Sequence, residues 1–275
     1  MKLKYLGTAA AEGMPALFCS CENCEKARRL GGKNIRSRSQ TMVNDDLIID
    51  YPPDAYAHSV RFGIDLTKIR YLLVTHRHED HWFPQDLRYT KPGFSHPAKD
   101  WQGMQIFGSE DIRADVEELQ KADVRGIGYT QIEPFKPFRA GKYTVTALKA
   151  WHGTDHPYNY IISDGEKTVL YDHDTDLFTE ETYAYLKTAG VRFDLVSMDC
   201  TNGGLENVNY RGHMGLESNP VCRQMLLDIG AADEKTVFVV NHFSHNGTFS
   251  CHEDMEPKAA ALGFLASYDG LEIEI

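Results

Sequence analysis

The chain has 275 residues, 42% hydrophobic and 25% charged, an ordinary globular balance with enough length for a sizeable core. Its formal net charge of −11 argues against an extended nucleic-acid-binding face, which needs basic residues. No apolar run approaches a membrane span, and the opening 1–13 lacks the apolar core and cleavage pattern of a secretory signal; no membrane partner and a cytoplasmic location are therefore expected.

Residues 2–6 alternate like an edge strand entering the small-residue loop after Gly7-Thr8. Cys19, Cys21 and Cys24 follow as C-x-C-x-x-C. Clustered thiols in a reducing compartment point to metal, and three thiolates need a fourth ligand from far along the chain. A short helix is expected over 25–30. The basic run Arg36-Ser37-Arg38-Ser39 is either a solvated loop or a reach toward an anionic substrate. An apolar strand at 47–49 ends at Asp50, and 54–62 suits a helix.

Residues 71–74 have the length and composition of a buried strand, which runs into His76-x-His78-x-Asp80-His81. In extended chain, residues two apart project the same way, so His76 and His78 leave the strand together and Asp80 and His81 follow as the chain turns. Three imidazoles and a carboxylate within six residues suit a borderline divalent ion such as zinc or manganese. The aromatic- and proline-rich stretch 83–103 reads as a long loop, shaping a pocket or packing on itself. A strand at 104–107 and a helix over 110–122 capped by Ser109 are expected next. Further strands end in Trp151-His152, in Asp172-His173-Asp174, in Asp199-Cys200-Thr201 and in Asn241-His242, and a hairpin turns at Asp164-Gly165. Helices are expected over 179–189, after Ser218 with Pro220 in the first turn, and over 255–266; 271–275 alternates as a closing strand. Cys200 and Cys222 read as buried thiols. Strands and helices alternate without a linker, as in a single α/β sandwich over 1–275.

The H-x-H-x-D-H run resembles the signature of the metallo-β-lactamase superfamily, an αββα sandwich. The resemblance implies that His76, His78 and His152 hold one metal, Asp80, His81 and His242 a second, and that Asp174 bridges them. Asp172 is the rival for the bridge and His156 for His152. It also implies that Asp50 orients a ligating histidine from behind. Two such ions activate water for hydrolysis without a protein nucleophile. That leaves protonation of the leaving group, for which His213, in an Arg211-Gly212-His213 loop, is a candidate; Asp80 and His213 are the expected catalytic residues.

The cysteine cluster narrows the resemblance. With His245 as fourth ligand (Cys251 and His252 being alternatives), Cys19, Cys21 and Cys24 make a closed structural zinc site. Together with Leu6-Gly7-Thr8, Arg38-Ser39 and His242-x-x-His245, this layout resembles the phosphodiesterases of the carbon–phosphorus lyase pathway, which open phosphoribosyl 1,2-cyclic phosphate. The pyrroloquinoline quinone biosynthesis protein shares the layout. The implied activity is hydrolysis of a small, cyclic phosphodiester with two divalent ions (manganese or zinc) and one structural zinc. No long nucleic acid is expected as partner, and a homodimer is compatible with the sequence. The alternatives are a hydrolase of a thioester, lactone or lactam, and a metal-binding relative without catalysis.

Overall fold

Period-two alternation gives each strand an inner and an outer face, and the chain satisfies both by stacking two sheets and coating each with helices. The structure is a computed structural model and describes residues 1–208 and 212–275. In chain order the strands of the first half are β1 (Lys2–Gly7), β2 (Gln40–Val43), β3 (Leu47–Ile49), β4 (Tyr71–Leu73), β5 (Met104–Gly108) and β6 (Ile127–Gln131). Those of the second are β7 (Phe138–Ala140), β8 (Tyr143–Lys149), β9 (Tyr158–Ser163), β10 (Thr168–Asp172), β11 (Leu195–Asp199), β12 (Val237–Asn241), β13 (Leu265–Ala266) and β14 (Glu272–Glu274). The sheets run β14-β1-β2-β3-β4-β5-β6 and β13-β12-β11-β10-β9-β8-β7, so the last strand crosses back to pair with the first.

Leu47, Ile49 and Leu73 face Val145, Ile162, Val169 and Tyr171 in the layer between the sheets, while the alternate residues Ile48 and Leu72 face outward. The outer face of the first sheet is covered by α2 (Ala55–Phe62) and α3 (Arg113–Lys121), through Ala55, Val116 and Leu119. On the second sheet α4 (Glu180–Ala189), α5 (Asn219–Asp228) and α6 (His252–Ala261) bring Leu186, Leu226 and Met255. Each such side chain contributes about 1.5–3 kcal/mol when fully buried. This is the αββα sandwich expected from the sequence.

Four details differ from expectation. The last helix stops at Ala261, before Gly263 at φ +81°, and Leu265–Ala266 joins the sheet edge beside β12. Ser109 does not cap α3; a 3-10 turn at Glu110–Ile112 intervenes, and the Ser109 hydroxyl is buried without a hydrogen-bond partner among the described residues. Arg36 is neither solvated nor aimed at a ligand: it is 2% exposed, bonds Thr8 Oγ1 and the Ser267 carbonyl, and stacks on Phe243. Arg38 is tied to Asp54 at 3.1 Å.

What places the site is the parallel pairing of β3 with β4, and of β10, β11 and β12, whose carboxyl ends share one edge of the sandwich. Ligands of α/β sheets bind at such edges. Asp50, Asp174 and His242, just past three of these strands, have φ of 65°, 55° and 63°. Left-handed backbone costs a non-glycine residue of order 1–3 kcal/mol and collects at functional sites.

Candidate metal centre

The turn after β4 brings His76 Nε2 within 3.0 Å of His78 Nδ1. His152, beyond β8, places Nε2 3.1 Å from the same nitrogen. Asp174 Oδ2 lies 3.1 Å from His76 Nε2 and 3.4 Å from His152 Nε2. A tetrahedral ion with bonds near 2.1 Å spaces its donors by about 3.4 Å, so the four atoms sit near the corners of one coordination tetrahedron.

A second set shares a corner with the first. His81 Nε2 is 3.2 Å from Asp80 Oδ2 and 3.4 Å from His242 Nε2. Asp174 Oδ2 stands 3.1 Å from His81 Nε2 and 3.9 Å from His242 Nε2. One carboxylate oxygen thus belongs to both sets, the arrangement of a bridged pair of ions. Asp172, by contrast, is buried outside both sets; burial pushes its carboxyl well up, and Oδ2 has no hydrogen-bond partner among the described residues. His156 turns away to Asp111 at 2.8 Å.

The sulfur cluster assembles across the chain. Cys19 Sγ and Cys21 Sγ each lie 3.5 Å from His245 Nδ1, and Cys24 completes a group whose donors are all within 4.8 Å of one another. Cys251 and His252 lie outside it. Asn23 Nδ2 donates to the His245 and Gly247 carbonyls, both at 2.9 Å, which pins the histidine loop against α1 (Glu22–Leu30).

A model described as the β-lactamase superfamily domain matches residues 47–263. The chain belongs to this superfamily. It is accordingly one of a group of metal-dependent hydrolases, with a His/Asp site able to hold divalent ions. Over its whole length it is similar to a diphosphatase from the PhnP family, at 21% identity and TM-score 0.75, covering 97% of that chain. Zinc-bound PqqB from Methylobacterium extorquens is similar at 18% identity and TM-score 0.76, with both chains covered in full. The short form of human tRNase Z follows at 14% and 0.65, covering 100% of this chain and 99% of that one. At such identities the likeness is one of fold. No curated protein matches.

In this chain the backs of three of the imidazoles are held from behind. Asp50 Oδ2 lies 2.7 Å from His81 Nδ1, while its other oxygen accepts from the Thr75 amide at 2.8 Å. Thr75 Oγ1 is 3.0 Å from His76 Nδ1. On the opposite sheet Thr201 Oγ1 stands 2.8 Å from His242 Nδ1 and donates to Asp199 Oδ2 at 3.0 Å. Asp199, wholly buried at the end of β11, also accepts from the amides of Asp174, Thr201 and Met214. Asp199, Thr75 and Thr201 were not singled out by the sequence reading. One signal was available for Asp199: it ends a buried strand, as Asp50 does.

The electrostatics ask for positive charge. Burial would raise the Asp174 carboxyl, yet His242, His76 and His81 hold it well below the usual range. Burial lowers His76 to about 3, so it stays a neutral donor. His81 is pushed the other way: burial opposes protonation, but Asp80 and Asp50 raise it well above its ordinary value. The carboxylates of Asp80 and Asp174, converging on His81 Nε2, fit a site built around a cation. His213 Nδ1 lies 3.2 Å from both Asp174 Oδ1 and Asp199 Oδ2. Burial works against its protonation, but chiefly the Asp199 carboxylate raises it to about 9. Arg211 lies outside the described residues.

Proposed function

We propose that the chain hydrolyses a small, cyclic phosphodiester with two divalent ions, manganese or zinc. His76, His78 and His152 would hold one ion, Asp80, His81 and His242 the other, and Asp174 both. The observation that carries this reading is Asp174 Oδ2 as the common corner of two four-donor sets. Two ions there would supply activated water near neutral pH and neutralise charge on the phosphoryl oxygens.

The protein's own groups do the rest. The cleft over the site has a volume of about 260 Å³ and is lined by Ala10, Glu12, Asp80, Asp174, His213 and His242. That size favours a small substrate over a long nucleic acid. Asp80, kept ionised beside His81, faces this cleft and orients the attacking water. His213, protonated at neutral pH and lining the same cleft, gives its proton to the departing oxygen or bonds a phosphoryl oxygen. Asp50 and Asp199 act from behind by fixing the imidazole orientations.

Cys19, Cys21, Cys24 and His245 would hold a structural zinc; Zn–S bonds near 2.3 Å place sulfur and nitrogen donors about 3.6 Å apart, close to the observed 3.5 Å. Six cysteines without a disulfide among them favour the reducing cytoplasm. The manganese-loaded protein is expected to release nitrophenol from bis(p-nitrophenyl) phosphate. Turnover of thioesters or lactones alone, or one metal per chain at the thiolates, would overturn the reading.

A further inference from the structure

His78 borders two clefts. One is the 260 Å³ space over the metal-ligand cluster; the other, of about 520 Å³, continues past it between the 77–79 and 153–155 segments. Ligand sites for small organic molecules occupy about 300–1,000 Å³. The metal cleft alone is small even for that range, so a substrate centred there extends somewhere, and the larger space beside His78 is where it opens.

The walls of this second cleft carry Arg77, Glu79, Asp111, Asp115, Thr154 and Asp155 over a floor at Trp82. Its charges are not alike. Asp111 is engaged by His156 at 2.8 Å, and Asp115 accepts from the Trp82 indole at 3.0 Å. Arg77, the one arginine or lysine among the described residues lining the cleft, is exposed and has its Nε 3.9 Å from Asp115. Glu79 and Asp155 make no ion pair among the described residues. The Thr154 hydroxyl is shielded from solvent and has no hydrogen-bond partner among the described residues.

We infer that this cleft receives the organic part of the substrate and selects an uncharged, hydroxyl-rich group, such as an unphosphorylated pentose, over one bearing a second phosphate. The inference rests on the phosphodiester reading and deepens it. Sugar hydroxyls donate to carboxylates at short range. A phosphate in the same place meets the carboxylates of Glu79, Asp111, Asp115 and Asp155 against one guanidinium, that of Arg77, among the described residues lining the cleft. Like charges about 4 Å apart near a protein surface discriminate by roughly tenfold or more.

Ribose 1,2-cyclic phosphate and its 5-phosphate are the probes, compared with the manganese-loaded protein. The kcat/KM for the unphosphorylated sugar is expected to exceed that for the 5-phosphate at least about tenfold at low salt. The ratio should shrink near 1 M salt, where screening acts within about 3 Å. It should also fall toward unity in E79Q and D155N, furthest in the double variant. A ratio of one or less, a ratio indifferent to salt and to both substitutions, or failure to turn over either sugar while bis(p-nitrophenyl) phosphate is hydrolysed overturns the inference alone. Failure on all three compounds overturns the phosphodiester reading and the inference together.

Discussion

Asp174 and Cys24 each sit buried within a four-donor set, but the two sets are built in different ways. The histidine–aspartate cluster gathers donors from four separate segments at the ends of β4, β8, β10 and β12. It is backed by buried carboxylates and hydroxyls, uses two residues in left-handed backbone, Asp174 and His242, and opens onto a cleft. The sulfur cluster takes three donors from six consecutive residues and one from His245. Its thiols are met by local amides, from Ala16 to Cys24 at 3.2 Å and from Cys21 to Cys19 at 3.4 Å. One arrangement keeps charge and strain where chemistry needs them; the other ties the N-terminal loop to the loop after β12. On the proposed reading, the contrast would be one between an open catalytic metal site and a closed structural one.

The sharpest way to break this contrast is at the shared corner. Asp174→Ala should abolish the paired occupancy, lower metal content by up to two ions and reduce turnover of bis(p-nitrophenyl) phosphate by more than about 10⁴-fold. Metal analysis and steady-state rates on the same preparation check it; retention of both ions would remove the bridge. Next in size is His213→Gln, which should lower kcat by about 10²–10⁴-fold with metal content intact, since His213 is assigned to the proton rather than to an ion. Co-loss of metal would instead make it a ligand, as its place beside Asp174, Asp199 and His242 would permit.

How much of this was legible beforehand depended on whether a residue carries its signal locally. His76, His78, Asp80 and His81 announce themselves through spacing, whereas His152, Asp174 and His242, each near a strand end, were picked out by the resemblance. The C-x-C-x-x-C likewise reads directly, while His245 needed the resemblance. Asp199 did not stand out because a lone aspartate after a strand reads as a turn former; only the three amides that converge on it reveal its work. Arg36 misled for the opposite reason, since a basic run suggests solvent and only tertiary packing on Phe243 buries it. The 83–103 stretch also divides in space. Tyr89 and Trp101 wall an apolar cavity of about 260 Å³ against Tyr51 and Met104, whereas Pro84 and Gln85 reach the cleft beside His78.

Two smaller perturbations separate the clusters further. Asp50→Asn keeps the shape but weakens the hold on His81, and should cost about 10–100-fold in metal affinity or activity. Titration of metal into the apo variant reads this directly. Cys21→Ser should remove one metal of three and lower the melting temperature, by about 2–4 °C for each kcal/mol lost, while kcat changes less than about tenfold. Loss of all three metals in that variant would mean the clusters are not independent.

The mildest change at neutral pH is expected at His58, which touches neither cluster. His58 sits in α2 with Nδ1 2.7 Å from Gln40 Oε1, and Gln40 Nε2 donates to the Asp50 carbonyl at 2.9 Å. Burial lowers His58 from 6.5 to about 4. Between those values the unfolded chain binds a proton that the folded chain refuses, so stability is full above pH 6.5 and is lost as pH falls toward 4. The shift corresponds to about 3 kcal/mol at most. Denaturant melts at pH 7 and pH 4.5 should show this loss, and His58→Gln, which cannot titrate, should lose less over the same interval. Equal losses in the two proteins would place the acid sensitivity with the metal-site imidazoles and carboxylates instead of with the helix that braces Asp50.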